Sequence, residues 1–311
     1  MPSDKRARQR AGKSARQAQL RQAQQRRRRR TRVVPVVVAA IALALGGAIY
    51  STTQGGGSKK VTTSTTAVGS STTVAGPTTT LTPGKAPGLV AHPAPAVSAA
   101  CNTPASGATG SGAAPASGRA VSIVPAPAHV PFPKLDGTSP RYTKFASAPP
   151  FCIDVAKTYT ASIVTDAGTI AVTLLPKDAP LAVNNFVFLA GYHFYDGTVY
   201  HRVIPGFMDQ GGDPTATGSS GPGYAFKDEL PSKNTAYDAG AMAMANSGPN
   251  TNGSQFFIVV PGGGAGLQPL YSVFGQVTSG LAVVEKINHD GSQAGTPTIY
   301  HKILKVTITE S

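Results

Sequence analysis

YTASIVTDAGTIAVTLLPKDAPLAVNNFVFLAG, residues 159–191, is the stretch from which the architecture of this chain can be worked out. YTASIVT (159–165) and GTIAVTLL (168–175) are rich in β-branched residues and are parted by Asp166-Ala167, with Gly168 supplying turn freedom, the pattern of a hairpin. The period then changes. In DAPLAVNNFVFLAG (178–191), Val183, Phe186, Val187 and Ala190 recur on one helical face, with Asp178 as the N-cap and Pro180 in the first turn. Further short strands follow: TVYHRVI (198–204), FMDQGG (207–212), AMAMA (241–245), SQFFIVV (254–260) and YSVFGQV (271–277). TSGLAVVEKINH (278–289) reads as a second helix capped by Thr278 or Ser279, and HKILKVTITE (301–310) closes the run as a strand with alternating apolar positions. Many short strands at even spacing, with a helix near each end, predict a mostly β fold: a closed antiparallel barrel capped by two helices.

Outward from this domain, placed at 155–311, the composition shifts four times. Residues 119–154 are Pro-rich but carry Val, Ile, Phe and Tyr (VSIVPAPAHVPFP, RYTKF), as expected of an extended strap on the domain surface. Residues 51–118 are Gly, Ser, Thr, Ala and Pro, with too little apolar surface to offset ordering entropy; a disordered linker is predicted. VVPVVVAAIALALGGAIY (33–50) is 18 residues without a charge. As a helix it covers about 27 Å, close to the ~30 Å of a bilayer core. It is longer than a signal-peptide core and does not end in a convincing Ala-x-Ala-like cleavage site, so a retained transmembrane helix is preferred over a cleaved signal.

Residues 1–32 hold 13 of the 28 Lys and Arg and a single acid, Asp4, hence twelve of the fourteen net positive charges. This basic tail predicts a cytoplasmic N-terminus, a single membrane pass and a domain outside the cytoplasm. The remaining chain has 15 basic against 13 acidic residues, so the body offers no electrostatic footprint for nucleic acid. Two cysteines, Cys101 and Cys152, make neither a disulfide framework nor a Cys-x-x-Cys site. In an oxidising compartment they allow one intramolecular pairing, closing a loop of about 50 residues; the competing reading is a buried Cys152 and a free Cys101.

Three segments carry the chemistry: YHRVIPGFMDQGGDPTATGSSGPGY (200–224), AMAMANSGPNTNGSQFFIVV (241–260) and LYSVFGQV (270–277). Together they resemble the cyclophilin family of peptidyl-prolyl cis-trans isomerases, over about half the chain, 155–311, and with the upstream helix suggest a membrane-anchored bacterial type. The resemblance implies an eight-stranded cyclophilin-like barrel that works without a cofactor or metal, as a monomer, on proline-containing polypeptides. The reaction transfers no group; it lowers a barrier of about 20 kcal/mol that exists because amide resonance must be broken.

By the same resemblance Arg202 is the donor to the prolyl amide, Gln210 braces it, and Phe207, Met208 and Phe257 line the proline slot. Ala245 and Asn246 pair with the substrate main chain, and Leu267 and Tyr271 form the pocket wall. The sequence departs from the family pattern there: it has no tryptophan, Gly266 stands where an indole is common, and Tyr271 replaces a histidine. Weak binding of cyclosporin-like ligands is expected. His201, beside Arg202 in a strand, points to the opposite face and is read as a packed residue. With no titrating group in the mechanism, the rate is expected to be flat between about pH 6 and 8. The function inferred is an extracytoplasmic folding isomerase; the alternative is a non-catalytic tethered peptide-binding module or chaperone.

Overall fold

The computed structural model describes residues 88–102, 119–233 and 236–311. The basic tail 1–32, the expected membrane helix 33–50 and linker residues 51–87 and 103–118 lie outside the described residues. Among the described residues no helix is long and apolar enough to cross a membrane.

Strands β1 (Tyr159–Thr165) and β2 (Gly168–Leu174) form the expected hairpin, with Thr165 opposite Gly168. Tyr159, Ala161, Ile163 and Thr165 alternate inward along β1. At the turn, Thr165 Oγ1 donates to Gly168 O at 2.7 Å and accepts the Ala167 and Gly168 N–H groups, both at 3.1 Å. The chain continues through α1 (Pro180–Gly191), β3 (Arg202–Ile204), β4 (Met208–Gly211), β5 (Ala241–Met244) and β6 (Phe256–Val259). It ends with β7 (Val273–Ser279), α2 (Leu281–His289) and β8 (Ile303–Glu310).

The eight strands make one antiparallel sheet in the order β3-β4-β6-β5-β7-β2-β1-β8, and that sheet is open, where the sequence predicts a closed barrel. The cause lies at β3. Pro205 ends the strand after three residues, and the outer edge of β3 is already paired with a loop: Val203 N–H donates to Gly295 O at 2.8 Å and Ser292 N–H to Val203 O at 3.1 Å. β8 therefore has no ladder to join on that side. Isolated bridges from Val199 to Asp213 and Lys302 span the gap instead.

Both helix starts differ from expectation. The N-cap of α1 is Ala179, not Asp178, and no side chain from its own segment caps it. Glu229 reaches in from 48 residues away: its Oε1 accepts Leu181 N–H at 2.9 Å and its Oε2 accepts Ala182 N–H at 3.0 Å. A carboxylate there satisfies two orphan donors and complements the helix dipole. For α2, Thr278 and Ser279 are still in β7, and Gly280 at φ 84° is the N-cap. A Cβ at Gly280 would collide with the Thr169 carbonyl, so the strand-to-helix corner requires glycine.

The main core lies between the sheet and α1, where Phe186 contacts Tyr195, Phe256 and Phe274. One apolar face is expected for α1, yet every residue except Leu181 is buried, because residues 119–154 cover the other side. Phe188 packs on Phe132 (ring centroids 5.8 Å apart) and Phe145 (5.0 Å), and Tyr192 donates from its hydroxyl to Pro131 O at 2.7 Å.

Residues 88–102 fall inside the stretch 51–118 expected to lack structure, but they run along the domain. Ser232 N–H donates to Gly88 O at 2.9 Å, His92 N–H to Lys177 O at 3.1 Å and Ser98 N–H to Phe151 O at 2.9 Å. Backbone pairing with the folded body, which composition does not reveal, accounts for the difference. Cys101, in a 3-10 turn at Ala99–Asn102, is joined to Cys152 by a disulfide with Cα atoms 5.5 Å apart.

Candidate active site

The site follows from strand alternation in β3, β4, β5 and β6. Met208 and Phe257 enter a second apolar cluster with Ala243, Val259 and Val273, whereas their neighbours Asp209 and Phe256 turn to the other face. Met208 is 1% and Phe257 5% exposed, a dry floor. Phe207, Leu267 and Tyr271 are partly buried against it. The Tyr271 ring meets Phe257 edge to face, with centroids 5.4 Å apart at 88°.

Arg202 stands opposite Gln210 in the β3–β4 register. Its Nη1 donates to Gln210 Oε1 at 3.1 Å and lies 4.0 Å from Met208 Sδ. Gln210 Nε2 in turn donates to Gln255 Oε1 at 3.0 Å, and Gln255 Nε2 to Ser220 O at 2.8 Å. This relay of amides orients the Gln210 carbonyl toward the guanidinium. Arginine carries five N–H donors, so the brace leaves others for a ligand. Partial burial draws the Arg202 pKa down and the nearby Tyr271 opposes the shift; the group stays charged near neutrality.

The pocket wall is held through its main chain. Tyr271 N–H donates to Tyr237 Oη at 3.0 Å, and Tyr237 Oη–H donates to Tyr271 O at 2.9 Å. Burial pushes the Tyr237 pKa up to about 12, which keeps the proton that the second bond requires. Glycines close the far side: a Cβ at Gly263 would collide with the Phe207 carbonyl, and one at Gly264 with the Tyr237 carbonyl.

Ala245 N–H donates to Gln255 O at 2.9 Å, and the Asn246 side chain donates to Leu270 O at 2.9 Å and accepts Gly248 N–H at 3.2 Å. The Asn246 side chain thus shapes its own loop, and the residue borders a cavity of about 200 Å³ also lined by Gln210, Ser220, Tyr224 and Gln255.

All nine residues singled out for the site lie on this face or its rim: Arg202, Phe207, Met208, Gln210, Ala245, Asn246, Phe257, Leu267 and Tyr271. Sequence reasoning missed Gln255 and Tyr237. Gln255 lies inside a quoted motif, adjacent to the aromatic pair, and its amide partner could be sought there. Tyr237 sits in a segment with no local signal. His201 is buried, and burial lowers its pKa, so it is a neutral packed group.

A charged, braced donor beside a dry apolar slot suits one task. It can favour an amide whose nitrogen lone pair has left conjugation over the planar amide, with no proton or group transferred. The class so defined is a prolyl-peptide isomerase. Residues 160–308 match the family described as Cyclophilin type peptidyl-prolyl cis-trans isomerase/CLD. The chain is 45% identical over 139 residues to a peptidyl-prolyl cis-trans isomerase of Helicobacter pylori, covering 43% of this chain and 83% of that protein. It is 45% identical over 127 residues to peptidyl-prolyl cis-trans isomerase B of Bacillus subtilis (41% of this chain, 88% of that one). It is 43% identical over 162 residues to peptidyl-prolyl cis-trans isomerase A of Mycobacterium tuberculosis (46% and 88%). The chain belongs to the cyclophilin-type peptidyl-prolyl cis-trans isomerase family and acts on proline-containing peptides.

Proposed function

We propose that this isomerase works outside the cytoplasm on proteins folding at the cell envelope, tethered by the uncharged segment 33–50. Arg202 acts as the donor to the prolyl nitrogen, Gln210 as its brace, and Phe207, Met208 and Phe257 as the proline slot. Ala245 and Asn246 align the extended peptide, and Leu267 and Tyr271 close the slot. The carrying observation is the Arg202–Gln210 bond of 3.1 Å beside the floor made by Met208 and Phe257. A module that only held peptides would have no need for a braced guanidinium there. The proposed location draws on the basic residues preceding segment 33–50 and on the Cys101–Cys152 bond, since disulfides persist in oxidising compartments.

The test is the isomerisation rate of an X–Pro peptide with Arg202→Ala in the full chain. Loss of one such donor should lower the rate about 10²–10³-fold with circular dichroism unchanged. A wild-type rate would overturn the assignment. Location is tested by adding protease to intact cells, which should release a C-terminal fragment; protection until lysis would place the domain inside.

A further inference from the structure

The turn between β3 and β4 carries Phe207 and separates Arg202 from Met208 and Gln210. It is a tight Ile204-Pro205-Gly206-Phe207 turn, closed by Phe207 N–H to Ile204 O at 3.0 Å, with Gly206 at φ 73°. A single side chain from α2 holds it. Asn288 Oδ1 accepts Gly206 N–H at 2.8 Å, and Asn288 Nδ2 donates to Ile204 O at 2.9 Å and to Asp209 Oδ1 at 2.7 Å. Asn288 is 6% exposed and Asp209 is fully buried. With a longer contact from Nδ2 to Met208 O at 3.5 Å, four bonds from one amide tie the turn to the next strand, more than packing of a helix needs.

Asp209 is the unusual member. Its neighbours Met208 and Gln210 belong to the site, while its carboxyl lies on the opposite face of β4 with Oδ2 unpaired. The groups that face it are Asn288 of α2, Tyr200 of the segment before β3, and His301 of the segment before β8. His301 is in turn held by Asp166 and Asp290, each 2.9 Å away.

We propose that Asn288 and Asp209 are positioning residues for the isomerase reaction: together they lock the Ile204–Met208 turn, and so set Phe207 against Arg202 and Gln210, in a manner that responds to pH. The proposal rests on the assignment of Arg202 and Phe207 made above. Burial raises the Asp209 pKa to about 7, against the Asn288 bond and the His301 field, so the carboxyl changes charge within the physiological range. As the carboxylate it accepts a charge-assisted bond from Asn288, roughly twice as strong as the neutral one, and the lock tightens. As pH falls and it takes up a proton, the lock loosens. The flat pH profile expected from sequence is thereby replaced by a step.

Exchange NMR on the full chain, with a blocked X–Pro peptide lacking titrating groups, avoids a coupling protease. The wild-type kcat/KM should fall a few-fold from pH 8 to pH 6, with its midpoint near the Asp209 value of about 7. Asp209→Asn, which is isosteric and still accepts from Asn288, should abolish the step. Asn288→Ala should lose about tenfold in kcat/KM at pH 8, the order expected when reacting groups are slightly misplaced, and should show no step. A wild-type profile without the step, a step that survives in Asp209→Asn, or a wild-type rate in folded Asn288→Ala would each overturn the proposal. Should Asn288→Ala fail to fold, Asp209→Asn decides alone. Arg202→Ala measured alongside separates the two claims: its full activity overturns the site assignment, whereas its inactivity with a flat wild-type profile overturns only the lock.

Discussion

Reducing the Cys101–Cys152 disulfide should cost this protein stability without costing it activity. The bond joins residues 51 apart in sequence. On the chain-entropy account, a loop that long constrains the unfolded chain by about 4 kcal/mol. The native contacts on either side do not depend on the sulfur bridge. Asn184 Oδ1 accepts Cys152 N–H at 2.8 Å and Asn184 Nδ2 donates to Pro150 O at 3.0 Å, so the Cys152 end stays docked on α1. Near the other end, Ser98 N–H to Phe151 O and His92 N–H to Lys177 O remain, each worth about 1 kcal/mol. The loss is therefore close to the loop term alone. For a folded body of this size, about 2–4 °C per kcal/mol converts it to a drop in Tm of roughly 8–16 °C. Thermal melts of the full chain with and without reductant, together with the Cys101→Ser/Cys152→Ser variant, should show the same drop twice. The isomerase rate at 25 °C should not change, because neither cysteine contacts the residues around Arg202. A shift under about 2 °C, or two alkylatable thiols in freshly prepared unreduced protein, would refute the reasoning.

Glu229→Ala strips the cap from α1 and leaves the Leu181 and Ala182 N–H groups unpaired; a loss of about 1–2 kcal/mol is expected in denaturant melts, and an unchanged midpoint would show that water replaces the carboxylate. Asp209 also makes stability depend on pH. Its folded pKa of about 7 exceeds the ordinary 3.8, so its favourable contribution is complete below the unfolded value and is lost as pH rises to about 7. Asp209→Asn removes that slope, and its Tm relative to wild type should improve by the equivalent of about 3 kcal/mol between pH 5 and pH 8; no change in the difference would contradict the burial argument. A Cβ at Gly266 would meet no atom within 4 Å, so Gly266→Trp should be accommodated and should strengthen the weak cyclosporin binding expected of the native chain. Nanomolar inhibition of the wild type would remove the basis for that expectation.

What the sequence determined by itself is local or motif-borne. Period-2 runs and one two-residue turn are enough for the β1–β2 hairpin, since Thr165 and Gly168 satisfy each other within four residues. The resemblance carried by HRVIPGFMDQGG and GSQFF implies the arginine, the glutamine and the phenylalanines as the site, and the pairing of β3, β4 and β6 brings Arg202, Met208, Gln210 and Phe257 together. Tertiary structure alone decided the rest. The sheet stays open because a loop from residues 292–295 takes the edge of β3, a pairing that no periodicity near β3 records. Helix α1 starts at Pro180 because a carboxylate 48 residues downstream caps it, and it is buried all round because residues 119–154 lie across it. Asn288 and Asp209 carried no signal as site residues, since each is an ordinary polar residue until folding removes water and leaves them with each other. The pKa of a carboxyl is a property of its surroundings, and the groups around Asp209 come from three other segments, those of Tyr200, Asn288 and His301.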